Sequence, residues 1–171
     1  MKTVTVKIYQ FAELSDKAKE TALNELRDIN VDGKWWDCTY DDAKEIGLKI
    51  TSFDLDRNRH AKGKFLLAAN EVAQNILNEH GESCETYKTA NAFMEYWQPI
   101  FNDYMDAESE KYESKEAEDE LKEMEDNFLN SLLEDYSIML QREYEHLIED
   151  KAIIETIEAN DYHFTEEGKL Y

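Results

Sequence analysis

Forty carboxylates dominate the reactive groups of this chain, and metal binding is the first use to test. Glu143-Tyr144-Glu145-His146 has the Glu-x-x-His spacing that sets two ligands on one helix face, but a di-iron bundle needs that motif on two helices. The residues three before His60, His80 and His163 are Arg57, Leu77 and Asn160, so no second copy exists. Asp54-Leu55-Asp56-Arg57-Asn58 opens like a calcium loop. Its sixth position, where glycine makes the sharp turn, is Arg59, and its twelfth, where a bidentate glutamate closes the shell, is Phe65. The acids there are expected to flank Arg57 and Arg59 in a hairpin as exposed pairs. Cys38 and Cys84 lack a CxxC partner and read as reduced thiols of a cytosolic protein. No serine lies in a nucleophile-elbow pattern and no glycine-rich phosphate loop is present. With so many carboxylates, some pair falls within acid–base reach by number alone, so such pairs point nowhere in particular. The expectation is a non-enzyme without metal or cofactor; an enzyme with an undetected carboxylate site is one rival.

The carboxylates carry a second kind of chemistry, which is electrostatic. Residues 1–70 hold 12 Lys/Arg against 12 Asp/Glu, whereas residues 71–171 hold 7 against 28, so the later part carries the whole net charge of −21. Residues 103–126 alone have 12 acidic and 3 basic side chains. Helix positions three or four apart hold Cβ atoms about 5–6 Å apart, close to the spacing of phosphates along one DNA strand. Glu113, Glu116, Glu120 and Glu123 have that spacing, and Glu116, Asp119, Glu123 and Asp126 make a second row. Like charges at i,i+4 cost a helix about 0.2–0.5 kcal/mol per pair. A basic partner explains keeping them, because the rows can fill an Arg/Lys groove and steer association. The competing reading is a face that only keeps the chain in solution. Direct nucleic-acid binding by this half is disfavoured by its charge, and so is an anionic membrane surface.

Aromatic residues add a possible anchor. Trp36 and Trp97 fall on apolar helix faces and are expected in the core. Trp35 and Tyr96 fall off those faces and, where exposed, suit a partner-facing role.

These residues need elements to hold them. The predicted fold class is α+β, mostly helical, with a neutral subdomain over 1–81 and an acidic helical subdomain over 82–171 that ends in a short hairpin. Thr3 to Phe11 alternates as a strand; 48–56 and 60–67 read as two more, all three forming one small antiparallel sheet. Ser15 caps a helix that Asp32-Gly33 breaks, and a second helix spans 34–46 with Gly47 closing it. Helices are expected over 69–80, from a Ser83 cap to a kink or restart at Pro99, and from about Leu121 through Leu140, with a short helix after Asp150. Residues 103–126 are either a solvated helix or a loop. The start of the chain lacks the apolar core of a signal peptide, and no run has the roughly 18–20 apolar residues of a membrane helix.

Tyr9-Gln10-Phe11-Ala12-Glu13-Leu14-Ser15 followed by Ala18-Lys19 resembles small acidic proteins encoded by phages and mobile elements of gut bacteria. So do Trp35-Trp36 to Asp42-Ala43-Lys44-Glu45-Ile46-Gly47-Leu48, Phe53 to Arg57, and Phe164-Thr165-Glu166-Glu167-Gly168-Lys169. The resemblance covers most of the chain and brings no catalytic residue with it. It implies the company of inhibitors of host defence, antirestriction and anti-CRISPR proteins among them, acting in the cytoplasm of the bacterial host. The expected function is therefore a non-catalytic inhibitor. It would bind the basic groove of a Cas nuclease or restriction enzyme through Glu113, Glu116, Asp119, Glu120, Glu123 and Asp126, with Trp35 as a lesser anchor. The other rival is an accessory or structural phage protein that binds a protein partner, or itself, through aromatic surface residues.

Overall fold

The computed structural model describes residues 7–171, so the expected strand residues Thr3 to Val6 lie outside it. The chain is α+β and mostly helical. Its elements run β1 (Tyr9–Gln10), a short 3₁₀ turn (Phe11–Glu13), α1 (Asp16–Glu25), α2 (Asp37–Glu45), β2 (Leu48–Asp54) and β3 (His60–Phe65). They continue with α3 (Ala69–Glu79), α4 (Glu85–Met105), α5 (Lys115–Leu147), α6 (Asp150–Ala159) and β4 (His163–Phe164). Two compact units result, one of residues 1–36 and 142–171, the other of residues 37–141.

The first unit joins the two ends of the chain. β1 pairs antiparallel with β4, Tyr9 opposite Phe164, rather than joining β2 and β3 in one sheet as the sequence suggested. Among the described residues there are thus two separate two-stranded sheets. Phe11, Leu14, Ala18, Ala22, Ile153, Ile157 and Phe164 form the core. Ser15 caps α1 as expected, its Oγ accepting from the Ala18 N–H at 3.3 Å. α1 stops at Glu25, short of Asp32-Gly33, because the following turns have other work. Arg27 donates to the Ile148 carbonyl (3.0 Å) and to Asp150 (2.6 Å), and Asn30 donates to the Leu147 carbonyl (3.0 Å). These carbonyls close the last turn of α5, where no intrahelical donor is left for them. At the far end, the expected hairpin forms: the Thr165 N–H meets the Lys169 carbonyl and Phe164 bridges Leu170. Gly168 sits at φ +84, and a Cβ there would come within 2.0 Å of the Ala18 carbonyl oxygen, so only glycine lets the hairpin lie on α1.

In the second unit, β2 and β3 form the expected hairpin with a bulge between Ile50 and Ser52. Its inner residues Leu48 and Ile50 join Val72, Ala73, Ile76, Phe93, Trp97, Phe128, Leu132 and Tyr136 in one core. Gly47 (φ +93) ends α2 as predicted, its N–H on the Lys44 carbonyl. Helix boundaries differ from expectation at several points: α2 starts at Asp37 rather than 34, and α5 at Lys115 rather than near Leu121. α4 begins after Cys84, not Ser83, because the Cys84 N–H closes a turn onto the Gly81 carbonyl with Ser83 inside it. α4 also runs unbroken through Pro99. Pro99 and Glu95 are both exposed, so water can take the carbonyl that proline leaves without a donor.

Candidate partner-binding surface

Residues 103–126 resolve into three pieces: the end of α4, a run of turns over 106–114, and the first turns of α5. Glu113 lies in the turns at φ +44, with its N–H on the Tyr104 carbonyl. The other five predicted carboxylates lie on α5. Ala117, Leu121 and Phe128 are buried, which fixes the inward face of that helix. At about 100° per residue, Glu116, Asp119, Glu123 and Asp126 fall on the opposite side, and Glu120 on the flank next to them. All six are exposed. The second expected row, Glu116, Asp119, Glu123 and Asp126, therefore lies on the outward side of α5, whereas the first is incomplete, because Glu113 falls in the turns before the helix. Lys115 and Lys122 stand on the outward side as well. Among the described residues, one of the six, Glu120, meets a cation, the Lys111 ammonium at 3.5 Å. An exposed pair of that kind contributes at most about 1 kcal/mol.

Charge counted by folded unit stays lopsided. The second unit has 10 Lys/Arg against 25 Asp/Glu, a balance of −15; the first has 9 against 15, a balance of −6. Most of the −15 comes from residues 103–126.

Trp35 is half-buried, its ring 5.7 Å from those of Trp36 and Tyr144, so much of its surface is already in contact. Trp97 is buried as expected, whereas Trp36 is half-buried. Tyr96 is 66% exposed. It stands over a groove of about 330 Å³ between α4 and α5 that Ala92, Phe93, Met124 and Phe128 help to line.

The chemistry tested from sequence finds these places. Asp54 ends β2 and its Oδ1 accepts from the Asp56 N–H at 2.8 Å, forming a local turn. Arg59 does not pair with those acids: it reaches α5, where it meets Glu134 and the Ser137 hydroxyl. His146 stands 3.9 Å from Glu149. Among the described residues, no group of three or more His, Cys, Asp or Glu side chains is placed to hold a metal ion. Cys38 and Cys84 are free and exposed. No described helix is long and apolar enough to cross a membrane.

Sequence reasoning missed one polar chain. Thr86 lies 2.7 Å from His80 Nδ1, His80 Nε2 lies 3.6 Å from Asp42, and the Tyr136 hydroxyl donates to Asp42 at 2.7 Å. Hydroxyl, imidazole and carboxylate in a row are the parts of a nucleophilic triad. Here the Thr86 hydroxyl is buried under the start of α4, and the imidazole stands beyond hydrogen-bond length from Asp42. Burial first, then the Asp42 carboxylate, holds the Tyr136 phenol far above its usual value, so it stays a proton donor. The chain ties α2, α3, α4 and α5 together. No local signal marks it, since its residues come from α2, α4, α5 and the position just after α3.

Asp135, beside this core, accepts from the Thr89 hydroxyl at 2.7 Å. Burial pushes its carboxyl above the ordinary range, against the pull of that hydrogen bond, and Glu85 and Glu134 add to the rise. A raised carboxyl binds its proton more tightly in the folded than in the unfolded chain. Its stabilising effect is thus present at low pH and is lost as pH climbs from the ordinary carboxylate value through the raised one. Asp135→Asn keeps an acceptor for Thr89. Urea unfolding across pH 3 to 7 is expected to show a shallower fall in stability for this variant; an unaltered profile would mean that Asp135 titrates normally.

No family model, no curated protein sequence and no solved structure matches this chain.

Proposed function

We propose that the protein is a non-catalytic inhibitor of a nucleic-acid-handling defence enzyme, such as a Cas nuclease or restriction enzyme. It occupies the enzyme's basic groove with the outward face of α5. One observation carries this reading: Glu116, Asp119, Glu123 and Asp126 share the outward side of α5 with Glu120 on its flank, all exposed, and among the described residues one of them, Glu120, meets a lysine. Spaced at one helical turn, they present negative charge at intervals close to those of a phosphate strand. A basic groove recognises such a row by charge and spacing, and its field draws the inhibitor in. The resemblance to small acidic phage proteins supports the same role in the bacterial cytoplasm. Tyr96 and the groove beside it favour, as a second reading, an accessory protein that holds a protein partner through apolar contact.

Salt separates the two. If three to five charges are neutralised in the complex as steeply as along a phosphate strand, affinity for a purified Cas nuclease or restriction endonuclease falls about 40- to 500-fold between roughly 50 and 200 mM salt. Duplex DNA then competes for the same site. Binding that ignores both salt and DNA would support the apolar reading instead.

A further inference from the structure

The groove between α4 and α5 joins apolar surface to charge, and neither helix alone shows it. Thr89 meets Asp135, and Phe93 stacks on Phe128 with ring centroids 4.2 Å apart. Tyr96 and Met124 line the same groove, so the two helices run antiparallel with large rings between them. Phe93 and Phe128 are the buried floor; Ala92 and Tyr96 are exposed on one wall and Met124 is half-buried on the other. Ala92 keeps that wall low. Its volume, about 330 Å³, is at the small end for ligand sites.

Both ends of the groove are acidic. At one end stand Asp135 and Glu134, with Glu85, which Lys88 meets at 2.7 Å, close enough to help raise the Asp135 carboxyl. At the other, Asp103 follows Tyr96 by two helical turns on α4 and Glu120 precedes Met124 by one turn on α5. Beyond Glu120 the groove's wall continues into the row of Glu116 and Glu123. A second copy of this chain, itself at −21, is a poor occupant, and nucleic acid is worse.

We infer that this groove takes an apolar anchor from a Lys/Arg-rich helical segment of a partner protein, with basic residues before and after the anchor meeting the carboxylates at its two ends. Helix-in-groove recognition uses anchors at i, i+3 or i+4, and i+7. The apolar contact supplies slow dissociation, while the surrounding charge supplies fast and selective encounter. The inference rests on the proposed function for the sign of the partner's charge; the anchor is what it adds.

The test uses the full-length protein and three synthetic helical peptides, with affinity read by fluorescence anisotropy. One peptide carries Leu and Trp anchors between lysines and arginines, one replaces the anchors with alanine, and one keeps the anchors but replaces the basic residues with glutamine. The first is expected to bind at least tenfold more tightly than either of the others. Ala92→Phe fills the groove from an exposed position and should cost that peptide at least tenfold, with an unchanged circular dichroism spectrum. Chemical shift changes at Phe93, Tyr96 and Met124 on titration with the first peptide provide a readout that does not depend on the variant. Equal binding of the alanine peptide, together with no effect of Ala92→Phe and no shifts at those residues, overturns the groove and leaves the acidic face standing. Equal binding of the glutamine peptide overturns the basic partner, and with it the proposed function. Failure of the first peptide to bind overturns the anchor.

Discussion

With Glu116, Glu120 and Glu123 all changed to lysine, the protein is expected to keep its fold and lose about 100- to 10,000-fold in affinity for a basic partner. Each replacement removes an attraction and installs a repulsion in the same place. The positions lie at i, i+4 and i+7 on the outward face of α5 and its flank, and all three side chains are exposed, so the core beneath them is untouched. The changes relieve the Asp119–Glu123 repulsion but place positive charge near the start of α5 and remove the Lys111 contact, so the net effect on stability should be small. Two measurements check this: thermal unfolding, expected to shift by only a few degrees, and competition against labelled duplex DNA for a nuclease, expected to fail. Changing the same three residues to glutamine should lose less, because repulsion is absent. If lysine and glutamine variants inhibit as well as the parent, the face has no part in binding.

Tyr136→Ala is the substitution expected to damage the fold most. The ring is fully buried among the core residues of the second unit, and removing a buried aromatic side chain costs about 3–5 kcal/mol. Domain stability is only about 5–15 kcal/mol in total. Tyr136→Phe keeps the ring and takes away the donor to Asp42. That carboxylate is partly exposed, with 42% of its side-chain surface open to solvent, so water can replace the phenol. The phenylalanine variant should therefore lose only about 1 kcal/mol. Urea unfolding of the pair tells packing from hydrogen bonding. A phenylalanine variant as damaged as the alanine variant would make the Thr86–His80–Asp42–Tyr136 chain the main tie.

Elements held by local signals were legible in the sequence. The Ser15 cap, the Gly47 stop after α2, the β2–β3 hairpin and α3 each depend on residues within a few positions of one another. Pairing of β1 with β4 was not legible, because it joins segments more than 150 positions apart and both strands are only two residues long. Early termination of α1 followed from Arg27 and Asn30 being drawn to carbonyls at the end of α5, again a distant demand. Pro99 does not restart the helix, because a proline's effect depends on whether the carbonyl it leaves bare faces water.

The acidic face was legible for a different reason. Its spacing needs only the period of a helix, and the buried Ala117, Leu121 and Phe128 then turn it outward. The groove beside it was not, because it depends on how α4 lies against α5. Phe93 stacked on Phe128 keeps Ala92 and Met124 on opposite walls. Tyr96 read as a possible surface anchor from its place off the apolar stripe of α4, and it is the aromatic residue most exposed beside that groove. Trp35 gave the same signal, yet it rests against Trp36 and Tyr144.

Affinity capture from a bacterial lysate at low salt tests the central claim most directly, with the parent protein on one column and the triple lysine variant on another. The account predicts a basic nucleic-acid enzyme on the parent column that leaves with moderate salt or with added duplex DNA, and its absence from the variant column. Identical proteins on both columns, indifferent to DNA, would contradict it.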